Sequence, residues 1–109
     1  MRVFWVLLFV LAFTAPVCSN PPQDITLKIF GSKLDVFVIH PSSNPAQHFI
    51  KTIDISLNGT KIITQIFSTQ AKDGQTAVYF IPGLKKGDKI IVSAVCSVYG
   101  DLQKKVLVP

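Results

Sequence analysis

The residues best suited to chemistry in this chain are two histidines and a cysteine. His40 and His48 are its only histidines, and they bracket the proline-containing loop 41–47. Cys96 lies near the end of a late β-branched run, three residues before Tyr99. Two imidazoles and a thiolate form a ligand set for iron, copper or zinc, and a tyrosine phenolate binds ferric iron. Composition alone fits two loop histidines and a buried core cysteine equally well, and it fits a turn tyrosine better than a phenolate ligand.

The elements that must position these residues are predicted to be strands. Alternation of apolar and polar residues is clearest around Ile53, Ile55 and Leu57, and Asn58-Gly59 then forms a tight hairpin signal. Turns recur about every 8–12 residues, which is typical of an immunoglobulin-like β-sandwich. The sequence therefore predicts an all-β, seven-stranded immunoglobulin-like sandwich, in which His40 closes one strand and His48 opens the next. Its predicted strands are 25–30, 34–39, 48–57, 61–67, 75–81, 89–98 and 103–108.

The first residues have the pattern of a secretory signal peptide. Arg2 precedes the apolar run 3–13, and residues 14–19 are mostly small and include a proline, as in the cleavage region of a signal peptide. The apolar run is shorter than the roughly 20 residues that span a bilayer. We therefore predict a signal peptide over 1–19, a single domain over 20–109, a periplasmic or secreted location, and no stable membrane span after cleavage. An uncleaved anchor and a lipid-anchored Cys18 are the alternatives.

Composition excludes several classes of function. The 109 residues are too few for a large enzyme fold, and the formal charge of +5 falls to +4 when Arg2 is removed with the leader. The mature domain has no arginine and no basic motif with interleaved aromatic residues, which argues against nucleic-acid binding. Its lysines would steer anions towards the surface, although lysine-rich turns of an exported domain account for the same charge. Asn58-Gly59-Thr60 also fits an N-glycosylation acceptor in a eukaryote.

Several short motifs resemble the iron domain of superoxide reductases (desulfoferrodoxin and neelaredoxin). That family has a His-Pro pair, a short loop, a His-aromatic-Ile-x-x-Ile segment, a glycine-containing hairpin and a late Cys-Asn-x-His-Gly motif. The resemblance covers residues 36–102 and includes the turn 85–89. The matching residues in this chain are His40-Pro41, His48-Phe49-Ile50 with Ile53, Asn58-Gly59, and Cys96-Ser97-Val98-Tyr99-Gly100.

The resemblance implies a ligand set that this chain fills only in part. His40 and His48 correspond to equatorial iron ligands, and Cys96 corresponds to the axial thiolate, with backbone donors expected around its sulfur. A complete family site uses four histidines, whereas this chain has two. Tyr99 replaces the late histidine, and the early histidine with its neighbouring lysine has no counterpart in 20–39. One chain cannot form the complete four-histidine and cysteine centre, so enzyme activity stays open and no catalytic residue is assigned.

Three hypotheses follow. The first is an exported superoxide-reductase-like domain that binds iron or another transition metal at a reduced site and meets superoxide or a small redox partner. The second is a non-catalytic binding or structural module of the cell envelope that has lost the metal, with His40 and His48 pointing away from a Cys96 buried among apolar side chains. The third is a copper- or sulfur-handling carrier. The distance between the two imidazoles and the sulfur separates the first two.

Overall fold

The strands of a computed structural model agree closely with the predicted ones. The structure describes residues 21–109, so the predicted signal peptide lies outside the described residues. Residues 21–109 contain no helix long and apolar enough to cross a membrane. The seven strands are β1 (Asp24–Phe30), β2 (Lys33–Ile39), β3 (Ile50–Leu57), β4 (Thr60–Ile66), β5 (Gly74–Phe80), β6 (Lys89–Cys96) and β7 (Asp101–Leu107).

The strands form two antiparallel sheets that pack as a sandwich. One sheet has three strands in the order β1-β2-β5, and the other has four in the order β4-β3-β6-β7. The loop 40–49 carries the chain from β2 in the first sheet to β3 in the second. This arrangement confirms the predicted all-β, seven-stranded sandwich.

The core lies between the sheets and follows the alternation of the strands. Every second residue of β2 and β6 is buried, as period-two geometry requires when one face of a sheet is covered. Each fully buried branched side chain stabilises the fold by roughly 1.5–3 kcal/mol through removal of apolar surface from water. The most completely buried apolar residues are Ile25, Leu34, Val36, Val38, Ile50, Ile53, Ile55, Ile90, Val92 and Ala94.

The hairpin between β3 and β4 has the predicted tight turn. Asn58 and Gly59 adopt positive φ values of 50° and 91°, which asparagine and glycine tolerate better than other residues. The Asn58 side chain is used as well, because its amide donates to Asp88 Oδ1 (3.1 Å) and its oxygen accepts from the backbone N–H of Lys89 (2.9 Å). The hairpin is therefore joined to the start of β6.

Two strands near the candidate ligands are shorter than predicted. β3 starts at Ile50 instead of residue 48, because the backbone N–H of His48 donates to the carbonyl of Asn44 (2.8 Å) in a local turn. β6 ends at Cys96 instead of residue 98, because the N–H of Cys96 donates to the carbonyl of Gly100 (2.9 Å) and closes a turn. The backbone at both ends makes turn hydrogen bonds, although the N–H of Ser97 still donates to the carbonyl of Phe49 (2.8 Å) and extends the contact between β3 and β6 beyond the strands.

A close backbone approach fixes the end of β2 against the start of β5. Gly74 is paired with Ile39 and has a φ of +155°. A Cβ atom at position 74 would lie 2.0 Å from the carbonyl oxygen of Val38 and 3.1 Å from the backbone nitrogen of His40. Only glycine fits at this position, and the close approach it permits holds the backbone of His40 in place.

Candidate metal centre

The three predicted ligands meet at one end of the sandwich and come from both sheets. His40 directly follows β2 of the three-stranded sheet, and Cys96 is the last residue of β6 in the four-stranded sheet. Cys96 pairs with Ile50, the first residue of β3. His48 lies two residues before Ile50. Strand ends that are distant in sequence thus bring the three side chains together.

Their side chains are in mutual contact range. One ligand atom from each of His40, His48 and Cys96 lies within 4.8 Å of the other two. The imidazole rings meet edge to face, with centroids 4.7 Å apart and an interplanar angle of 88°. His40 and Cys96 are buried and His48 is half-buried. The arrangement with both imidazoles turned away from the sulfur, which the metal-free hypothesis predicted, is not the one in the structure.

The donor set and its spacing suit a transition metal. Bonds of about 2.0–2.3 Å place two ligand atoms about 3.0–4.6 Å apart, depending on the angle between them. A separation within 4.8 Å therefore needs only small side-chain rotations to reach bonding geometry. Two nitrogens and a sulfur, with no carboxylate in the group, favour iron, copper or zinc over calcium or magnesium. The residues present fit a bound metal, although their role as ligands stays a prediction.

A tight turn surrounds the sulfur of Cys96. The backbone N–H of Val98 points at Cys96 Sγ, 3.4 Å away, as the resemblance led us to expect of a thiolate ligand. Gly100 completes the turn at a φ of +92°, and a Cβ atom there would lie 2.4 Å from the Cβ atom of Pro21. The turn therefore holds a backbone donor against the sulfur.

The loop that carries His48 is held by serine hydroxyls. Ser42 Oγ donates to the carbonyl of His48 (2.7 Å) and accepts from the N–H of Asn44 (3.2 Å). The hydroxyl of Ser97, next to Cys96, accepts from the N–H of Phe49 (3.1 Å). These bonds connect the loop with the end of β6. They place His48 beside Cys96 without a regular strand.

Gln70, in the connection between β4 and β5, belongs to the site and was not predicted from the sequence. Its side-chain oxygen lies 2.8 Å from His40 Nδ1 and 2.9 Å from the backbone nitrogen of Ile50. Its side-chain nitrogen donates to the carbonyls of His40 (2.6 Å) and Ala71 (3.0 Å). A lone glutamine in a polar connection matches no ligand motif, so no signal in the sequence distinguishes it.

Tyr99 lies at the surface. Its side chain is 65% exposed, three residues beyond Cys96 on the turn that closes β6. The tyrosine fits the turn position that the sequence also allowed. A phenolate ligand at this position remains a prediction.

Three groups of the sandwich, Tyr79, Asp88 and Asp24, have shifted pKa values. Burial raises the pKa of Tyr79 to about 12, and the nearby charge of Asp54 adds to the effect. The backbone N–H of Lys85 and the amide of Asn58 lower the pKa of Asp88. Hydrogen bonding to Lys104, at 3.0 Å, lowers the pKa of Asp24 on the surface. These groups stabilise strand connections and surface pairs of the sandwich.

Fold and site together define a β-sandwich with a histidine, histidine and cysteine cluster at one end, and solved structures share that fold. A superoxide reductase (1Fe-SOR) from Giardia intestinalis matches with a TM-score of 0.66 and 17% identity, over 82% of this chain and 100% of the other. A superoxide reductase from Nanoarchaeum equitans matches with a TM-score of 0.54 and 16% identity, over 83% and 93% of the two chains.

A third structure, a hypothetical protein from Pyrococcus horikoshii OT3, matches with a TM-score of 0.57 and 22% identity, over 83% of this chain and 88% of the other. No protein-family model and no curated protein matches the chain. At these identities the likeness shows the fold. It confirms, for the fold, the resemblance to superoxide reductases that the sequence motifs indicated.

Proposed function

We propose that this chain is an exported superoxide-reductase-like protein that binds iron, or another transition metal, through His40, His48 and Cys96. The observation that carries the proposal is the convergence of these three ligand atoms within 4.8 Å on the matching fold. Superoxide, or a small redox partner, is the reactant that such a site would meet. The count of two histidines keeps the site distinct from a complete four-histidine centre.

The residues of the chain have distinct tasks in this proposal. His40 supplies a nitrogen from the buried side, and the half-buried His48 supplies one closer to solvent. Cys96 supplies a thiolate whose charge the N–H of Val98 partly balances. Bound iron would supply one-electron chemistry, which a soft thiolate donor tunes. His48 is the least buried of the three side chains, so we expect a small anion to approach the cluster from its side.

Metal content tests the proposal. Protein purified without an affinity tag is reloaded with Fe(II) under anaerobic conditions, and bound iron is measured by mass spectrometry. We expect near-stoichiometric iron in the wild type and a large loss in His48→Ala. Gln47→Ala is the matched control, because the neighbouring side chain is exposed and is not a predicted ligand. Substoichiometric iron that His48→Ala leaves unchanged would remove the proposal.

Metal identity separates this proposal from the carrier hypothesis. The same reloading with Cu(I) and Zn(II), followed by competition with Fe(II), ranks the metals. A site that holds Cu(I) but loses Fe(II) to a weak chelator would favour a copper carrier. A chain that binds none of these metals would favour the metal-free envelope module.

Export is tested separately. Expression of the full chain in a secreting host, followed by mass measurement of the exported protein, should show an N-terminus at Asn20. A product that retains residues 1–19 in the membrane fraction would support the uncleaved anchor instead.

A further inference from the structure

We infer that Gln70 is a positioning residue that fixes the tautomer of His40, and that His40 therefore binds metal through Nε2. This inference rests on the proposed metal-binding function. It assigns a role to a buried side chain that no motif in the sequence marks. Its support is the hydrogen-bond pattern around one amide group.

The orientation of the Gln70 amide is forced by the backbone. Its oxygen faces the backbone N–H of Ile50, which can only donate, and its nitrogen faces the carbonyls of His40 and Ala71, which can only accept. The flipped amide would place like groups against each other at all three contacts. The observed orientation is the one that satisfies them.

The tautomer of neutral His40 follows from this orientation. The Gln70 oxygen accepts, so Nδ1 of His40, 2.8 Å away, must carry the proton. The lone pair of the neutral ring is then on Nε2. An outer partner that holds one ring nitrogen as a donor both orients a histidine ligand and leaves the other nitrogen as the metal-binding atom.

Gln70 also connects the two chain segments that carry the histidines. The same oxygen contacts His40, at the end of β2, and Ile50, at the start of β3 two residues after His48. One amide therefore connects the backbone segments that carry both imidazoles. Gln70 is 8% exposed, and its four hydrogen bonds use all of its donors and both acceptor sites, so the connection is rigid.

The first measurement is made on the metal-free wild-type chain. Long-range proton–nitrogen NMR correlations of His40 should show the proton on Nδ1 and an unprotonated Nε2. A proton on Nε2 would overturn the inference, whatever the metal-binding result. This measurement needs no variant and no metal, so it keeps the assignment testable even if substitutions at position 70 impair folding.

The second measurement compares Co(II) affinities by optical titration. Gln70→Met retains the length of the side chain but removes its donors and acceptors, and we expect about 10–100-fold weaker binding. Gln70→Glu retains the oxygen that faces His40 and Ile50. In this variant, neutral His40 should therefore keep its proton on Nδ1, as in the wild type. Gln103→Met is the control, because Gln103 is exposed on β7.

The possible results separate the two proposals. Folded Gln70→Met with wild-type affinity, while wild-type protein binds Co(II), would overturn the positioning role and leave the metal site intact. Failure of wild-type protein to bind either Co(II) or Fe(II) would overturn the proposed function, and the NMR measurement would still decide the tautomer. Weaker binding in Gln70→Met together with a changed His40 tautomer would support both.

Discussion

Replacement of Gly74 by alanine tests whether the backbone beside His40 is held by the close approach of β2 and β5. The new methyl group would lie 2.0 Å from the carbonyl oxygen of Val38, where ordinary contact distances are about 3.5 Å. The strands must separate by more than 1 Å on that estimate. The displaced segment includes the end of β2, which precedes the first candidate ligand.

Two costs add in this variant. A non-glycine residue held at a φ of +155° costs about 1–3 kcal/mol. Relief of the overlap by backbone movement costs about another 1–3 kcal/mol. The sum of roughly 2–6 kcal/mol is a large part of the 5–15 kcal/mol that stabilises a typical domain.

Gly31→Ala is the matched control. Gly31 has a φ of +59° and no atom within 4 Å of its would-be Cβ, so alanine there meets conformational strain without overlap. We expect a loss of about 1–2 kcal/mol. Urea unfolding followed by circular dichroism measures both variants, and Co(II) titration measures the site. If Gly74→Ala loses no more stability than Gly31→Ala, the reasoning about the close approach is wrong.

Three further predictions concern the core and the pH dependence of stability. Ile53→Ala should lower the free energy of unfolding, measured in urea, by about 2–5 kcal/mol because Ile53 is completely buried. Ile66→Ala is the control, and because Ile66 is 72% exposed it should change the same free energy by less than about 1 kcal/mol. In Tyr99→Phe protein, where Tyr79 is the remaining tyrosine, ultraviolet titration should show ionisation near pH 12. Because the folded-state pKa is raised, the free energy of unfolding should be constant up to about pH 10 and then fall as the pH rises towards 12. Because the pKa of Asp88 is lowered, its ionised carboxylate should stabilise the fold above pH 3.8, the ordinary pKa of the group, and this contribution should disappear as the pH falls through the folded-state pKa. The difference in unfolding free energy between wild type and Asp88→Asn should therefore shrink as the pH is lowered.

The strands were predictable because their signals are local. The alternation around Ile53 and the positive-φ pair Asn58-Gly59 fix one hairpin without reference to the rest of the chain. The position of His40 and His48 at one end of the sandwich also followed from the short loop that joins the end of one predicted strand to the start of the next. These features depend on neighbours in sequence, so the sequence is sufficient to find them.

The parts of the site that were missed depend on hydrogen bonds that the alternation of apolar and polar residues does not encode. Gln70 matters because its amide reaches Ile50, twenty residues earlier, and no local pattern encodes that contact. β3 begins two residues later than predicted because the backbone of His48 forms a local turn instead of joining the sheet. Periodicity describes faces of strands, and it contains no information about where such competing hydrogen bonds form.

The spacing within the cluster of His40, His48 and Cys96 depends on how the two sheets of the sandwich are aligned. Cys96, the only cysteine in residues 21–109, is a free thiol, so no disulfide joins the sheets there. His40 follows β2 of one sheet, while His48 precedes β3 and Cys96 ends β6 of the other sheet. Any sliding of one sheet over the other therefore changes the imidazole contact of 4.7 Å directly. A core substitution that shifts one sheet over the other would therefore change the spacing of the three donor atoms, even from a position far from the cluster.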